Sequence, residues 1–326
     1  MAQVTNTFSS FDTIGIRESL ANIIYDLAPA ETPFMSNISS ESVSNTFFEW
    51  QTDVLAAADA TNAQIDGDDV SSYTAVTATV RPGNRTQISR KTFLIADNLQ
   101  FQDLAGRNSE VAYQITKQGK ELKRDMEAVL TANVIPAAGS TSAARRTGGL
   151  SAWLSTNSSS NGASSGTAGV NPVLTAGIPT TAQVEATDKR TCTEALLKAV
   201  VSNVWTSGGS PSLVMCGAKL KQVISGFSGI AAQRYQAPAG PTTIVGAADI
   251  YVSDFGELSI VPNRFSPTRN VFVLDPEYAG MGILRDIETV ELAKTGDASK
   301  FMLLAEYGLI MKNETAHGAI YDCDDS

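Results

Sequence analysis

The chain has 326 residues, 43% hydrophobic and 18% charged, a globular composition with enough apolar material for one large domain or two ordinary ones. With 24 Lys and Arg against 34 Asp and Glu, the net charge is −10. That excludes wholesale neutralisation of nucleic-acid phosphates as its way of working.

No apolar run approaches the roughly 20 residues of a membrane-spanning helix. The polar start Met1-Ala2-Gln3-Val4-Thr5-Asn6-Thr7 lacks the basic and apolar regions of a signal peptide. Both features predict a chain kept in the cytoplasm with no membrane partner. Cys192, Cys216 and Cys323 are widely spaced without a Cys-x-x-Cys pair, so they read as small inert thiols rather than a zinc site or disulfide framework. On the same expectation, the Asn-x-Ser/Thr triplets at Asn37, Asn84, Asn157 and Asn313 are chance matches.

Residues 1–15 read as an extended arm. Ile16, Leu20, Ile23, Ile24 and Leu27 then fall at helical spacing, with Pro29 and Pro33 as stops. Across residues 40–97, Thr46–Thr52, Thr74–Val80 and Thr86–Ile95 are rich in β-branched and aromatic residues and predict long strands of a β-ribbon. Its tip is acidic (Asp59, Asp66, Asp68, Asp69), and its returning side is basic (Arg81, Arg85, Arg90, Lys91). A ribbon with so little core of its own needs something to lie on.

The strongest signal follows. From Ser109 to Val134 there is no proline, and Val111, Ile115, Leu122, Met126 and Val129 make one apolar stripe. Asn108 is the expected N-cap, and Lys117–Glu121, Lys123–Glu127 and Arg124–Glu127 are expected pairs on the wet face. Residues 136–190 are Ser/Gly-rich and read as an insertion, with 148–154 as an apolar island that anchors it. A compact α/β pattern begins at Thr191. It has helices over Leu196–Val204 and Ala218–Phe227, a buried strand over Ser212–Cys216, and strands near Thr243–Val245, Asp249–Val252, Leu258–Val261 and Val271–Leu274. Ile287–Leu292 and Phe301–Lys312 predict two strands across a Thr295-Gly296-Asp297 turn.

Chemistry-bearing patterns are missing from this order. His317 is the one histidine and reads as a loop or surface residue. Gly226-Phe227-Ser228-Gly229 has the wrong spacing for a nucleophile elbow, and there is no phosphate loop or dinucleotide fingerprint. Asp66-Gly67-Asp68-Asp69 lacks the spacing of a calcium loop. The expectation is a protein that is not an enzyme and has no cofactor, metal or catalytic residue.

The arm, short helix, ribbon, spine helix and α/β unit with returning strands resemble, in that order, the major capsid proteins of tailed phages with the Hong Kong 97 fold. Four stretches resemble the major head protein branch of short-tailed phages: Glu31-Thr32-Pro33-Phe34-Met35, Gln118 to Glu127, Val252-Ser253-Asp254-Phe255-Gly256, and Leu292 to Asp297 followed by Glu306-Tyr307-Gly308. The resemblance implies an α+β fold. It divides into an N-terminal arm and helix (1–39), an extended E-loop (40–97) and a P-domain of spine helix plus insertion (98–190). An A-domain (191–283) and the C-terminal P-domain strands (284–326) complete it.

It further implies self-assembly as pentamers and hexamers into an icosahedral virion shell around double-stranded DNA, without sequence-specific contact. Assembly would take place in the host cytoplasm with a separate scaffolding protein, a portal and a decoration (cement) protein. No long charged helix precedes the fold, so scaffolding is expected from another chain. The opposite charges of the ribbon suit a head-to-tail contact between copies. Arg81, Arg85, Arg90 and Lys91, with Asp59, Asp66, Asp68 and Asp69, are therefore the expected inter-subunit residues. Alternatives are an adhesin or tail component (a small oligomer or fibre), an encapsulin-like compartment (protein cargo in place of DNA), and an enzyme with a dispersed carboxylate site.

Overall fold

A computed structural model describes residues 31–325 except 68, 70–72, 74, 103, 105, 107–108, 163–164 and 228–248. The expected arm and first helix, the Thr243–Val245 strand, Asp68 and the Asn108 cap lie outside the described residues.

The chain opens with α1 (Pro33–Asn37), β1 (Ser39–Ser42) and β2 (Phe47–Glu49), then β3 (Gly83–Arg85) and β4 (Gln87–Ala96). The spine helix α2 (Glu110–Thr131) is capped by Ser109, whose hydroxyl accepts from the Ala112 N–H. In the insertion come α3 (Leu150–Trp153), β5 (Ser158–Ser159) and the hairpin β6 (Val173–Thr175) and β7 (Ile178–Thr181). The α/β unit holds α4 (Glu194–Thr206), β8 (Leu213–Cys216), α5 (Ala218–Ser225), β9 (Ile250–Ser253), β10 (Gly256–Pro262) and β11 (Val271–Leu274). Long β12 (Ala279–Leu292) and β13 (Ala298–Met311) and short β14 (Gly318–Ile320) finish it.

Two sheets organise these elements. One has the order β1-β12-β13-β4, with β1 parallel to β12 and the other pairs antiparallel. The other is β5-β14-β11-β8-β10-β9. Its central strands β8 and β11 are buried at every position, which is why Leu213-Val214-Met215-Cys216 and Val271-Phe272-Val273-Leu274 read as unbroken apolar runs. Their alternate side chains serve two cores. Leu213, Met215, Phe272 and Leu274 meet Leu122, Met126 and Leu130 of α2 and Leu303, Tyr307 and Leu309 of β13. Val214, Cys216, Val271 and Val273 meet Leu197, Val200, Val201 and Val204 of α4 and Leu220 and Ile224 of α5. The spine helix thus lies between the sheets, with its apolar stripe inward as the periodicity predicts.

The ribbon is not the regular hairpin that was expected. β2 pairs with β3, and Thr52 bridges Val80, but the described residues between carry no ladder. Thr86–Ile95 is a strand, yet its partner is β13, so Arg90 and Lys91 belong to the four-stranded sheet rather than to the loop. The insertion is pinned as expected: Leu150, Ala152, Trp153 and Leu154 are buried, and the buried Tyr321 hydroxyl lies 2.9 and 2.8 Å from the Ser151 and Leu154 carbonyls. β14 and Cys323 return to the six-stranded sheet and its core, so the late residues of the chain close the middle of the fold.

Candidate inter-subunit interface

The loop is fixed at its root and bare beyond it. Phe48 stacks on Trp50, and Trp50 packs tilted against Trp153, with centroids 6.1 and 5.6 Å apart, tying the root to α3. Asn84, fully buried, donates to the Gly148 and Leu309 carbonyls and accepts from the Gly148 N–H. The root can lie this close to β13 because residue 308 is glycine: a Cβ there would meet the Arg85 carbonyl oxygen and the Phe48 ring, both at 2.8 Å. Beneath it, buried Glu306 accepts from Thr86 (2.8 Å) and pairs with Arg285 (3.0 Å) and Arg145. One carboxylate therefore joins the loop root, the insertion and β12.

Beyond the root, Val54, Leu55, Ile65, Tyr73 and Val76 are exposed, Leu55 to 95% and Val76 to 97%. A second apolar surface lies on the four-stranded sheet. Strand alternation turns Phe93, Ile95 and Leu303 toward α2, and turns Ile88, Arg90 and Leu94 of β4, Met302 of β13, and Val290 and Leu292 of β12 away from it. Ile88, Leu94, Val290 and Leu292 are exposed there.

The charged residues singled out above are divided between these parts. Arg81 reaches Glu49 at 3.0 Å across the root, Arg85 lies over the Phe47 ring at 4.6 Å, and Lys91 pairs with Asp125 of α2 at 2.7 Å. Arg90 is exposed and joins no ion pair among the described residues. Asp59 accepts from the Thr61 N–H and hydroxyl, which hold its carboxyl below the usual range. Asp66 and Asp69 are exposed. Arg81 and Lys91 thus have partners within the subunit, Glu49 and Asp125, that are not in the acidic group.

Two residues turn out differently from the sequence reading. Glu127 is not on the wet face. It is fully buried and accepts from the Phe34 N–H (2.7 Å), the Met35 N–H (2.9 Å) and Asn263 Nδ2 (2.7 Å). It joins the entry of α1, the spine helix and the end of β10, and burial pushes its pKa up. Nor is His317 a surface residue: it is 1% exposed, its Nδ1 accepts from the Asp275 N–H, and burial lowers its pKa to about 4. Neither has the setting of an acid–base pair. The three thiols are buried as expected, and burial holds Cys216 up at about 12.

A groove of about 410 Å³ at the loop root is lined by Val54, Val80, Pro82, Trp153, Lys312 and Glu314. Its charged groups have partners within the subunit: Lys312 pairs with Glu41 at 2.7 Å, Glu314 accepts from the Ser155 and Thr156 N–H groups, and Asp53 accepts from the Val54 N–H. Among the described residues no group of three or more His, Cys, Asp or Glu could hold a metal, and no helix is long and apolar enough to cross a membrane.

Residues 3–324 match the SU10 major capsid protein family. The chain belongs to that family. It is a phage major capsid protein, a subunit of the virion shell. A relative, the major capsid protein of Escherichia phage Phieco32, is 28% identical over 96% of each chain. Among solved structures, the capsid asymmetric unit of cyanophage A-1(L) is similar with a TM-score of 0.67 and 12% identity, over 98% of this chain and 99% of that one. The capsid of a native GTA particle gives 0.61 and 11%, over 98% and 100%. The capsid protein therefore has the Hong Kong 97-like α+β fold. Family membership makes it a structural protein of the capsid.

Proposed function

We propose that the capsid protein builds its shell by laying residues 53–79 of one copy over the outward sheet face of the next. What carries this reading is the pair of apolar surfaces, the loop and the β4–β13–β12 face, which are both left exposed among the described residues and are of kinds that can cover each other. Asp59, Asp66, Asp68 and Asp69 then approach a neighbour's basic side. There Arg90 stands on the receiving face, Lys91 on the same strand, and Arg81 and Arg85 at the loop root. Each exposed pair contributes only about 0–1 kcal/mol, but repetition around a closed lattice multiplies it.

Residues 191–283 serve as the A-domain, with the spine helix and long strands as the P-domain. The subunits form pentamers and hexamers around double-stranded DNA in the host cytoplasm, with scaffolding, portal and decoration proteins as separate chains, and no reaction is catalysed. The test is to reverse Arg81, Arg85, Arg90 and Lys91 to Glu together and view the product by electron microscopy, with circular dichroism as the folding control. Folded subunits without closed shells are expected. Normal shells from the variant would refute the contact assignment.

A further inference from the structure

The exposed side of α2 carries charge of the opposite sign to the chain as a whole. Lys117, Lys120 and Lys123 follow one another at i, i+3 spacing and are all exposed. Arg124 lies beside them, stacked on Phe265 at 5.5 Å, and the adjacent Arg264 is exposed. The helix's acidic residues do not cancel this row. Glu110 and Glu127 are buried, and Asp125 is drawn to Lys91 on the other flank at 2.7 Å. Glu121 alone stays near the row, half-buried.

We infer that this row is a phosphate-facing surface, turned toward duplex DNA held inside the shell. The inference rests on the shell reading above. If the sheet face away from α2 receives the neighbour's loop, α2 lies on the opposite side of a wall one subunit thick.

The chemistry favours a bare polyanion over a folded acidic partner. Among the described residues α2 exposes no large apolar side chain, whereas a protein partner needs an apolar contact centre. Flexible lysines in a row match a phosphate backbone without reading sequence. Three or four such contacts per subunit are few, so they register the outermost duplex layer against the wall without condensing the genome. A chain of net charge −10 is thereby reconciled with a DNA container.

The test is the variant Lys117→Gln, Lys120→Gln, Lys123→Gln in the full chain. A 30-bp duplex is titrated at low salt against wild type and variant subunits, and both are assembled into heads. The variant is expected to form shells as wild type does while the slope of log affinity against log salt falls by about 2–3, at roughly 0.9 per lost phosphate contact. An unchanged slope overturns the inference. So does loss of shells with duplex binding intact, which would assign the row to an acidic scaffolding segment. Failure of the wild type itself to form shells would strike the shell reading instead, while the duplex slope would still decide the row.

Discussion

Removing the Glu127 carboxylate should be among the most damaging single changes available in this subunit. Its two oxygens serve three donors, the Phe34 and Met35 N–H groups and Asn263 Nδ2, all within 2.9 Å and away from water. Glu127→Ala strands all three at a cost of about 1–3 kcal/mol each. The relief of no longer burying a carboxylate offsets part of that, leaving a net loss of about 3–5 kcal/mol. Glu127→Gln keeps one acceptor oxygen but turns an NH₂ toward a donor, for a loss of about 1–2 kcal/mol.

Urea unfolding of unassembled chain at neutral pH measures both. The acid side adds a signature. Because burial raises this pKa, the folded state holds the proton more tightly than the unfolded chain. The contribution is therefore largest at low pH and declines as pH rises through the folded value, a slope that Gln abolishes. Equal losses for Gln and Ala, or no shift in either midpoint, would refute the assignment of Glu127 as a junction.

His317 acts in the opposite sense. With its pKa lowered from 6.5 to about 4, its stabilisation is complete above about 6.5 and falls by about 3 kcal/mol as pH drops toward 4. His317→Asn, which keeps an acceptor for the Asp275 N–H, should flatten that part of a stability–pH curve. Tyr321→Phe removes the hydroxyl shared by the Ser151 and Leu154 carbonyls and should cost about 1–2 kcal/mol in urea melts, with proteolysis quickening in the 136–190 segment. Gly308→Ala forces the Phe48 ring and the Arg85 carbonyl off β13. A loss of about 1–3 kcal/mol is expected, and shells assembled from it should show a displaced loop root by cryo-electron microscopy.

The elements governed by local periodicity were legible from the sequence. The α2 stripe, the α4 helix and the buried runs of β8 and β11 all declare themselves in neighbouring residues. What escaped depends on partners distant in the chain. Glu127 looks like one more charge on a wet helix because the donors that bury it are 92, 93 and 136 residues away. The first half of β12 was invisible because Ala279-Gly280-Met281-Gly282 has little strand propensity. At residue 280 a Cβ would meet Ser39 Oγ of the adjacent β1 at 2.9 Å, a contact that the serine side chain would have to turn away to relieve. The loop misled in the other direction. Its β-branched composition predicts ladders, but among the described residues no strand lies beside residues 53–79 for that composition to pair with. The residues proposed for the contact were legible as charge groups, while the apolar sheet face opposite α2 emerged only once register fixed which side each residue takes.

The position of β14 bears on timing. It is sequestered between β5 and β11, yet it follows every other strand along the chain. A nascent polypeptide emerging from the ribosome therefore lacks the strand that joins β5 to the rest of its larger sheet until residues 318–320 are free.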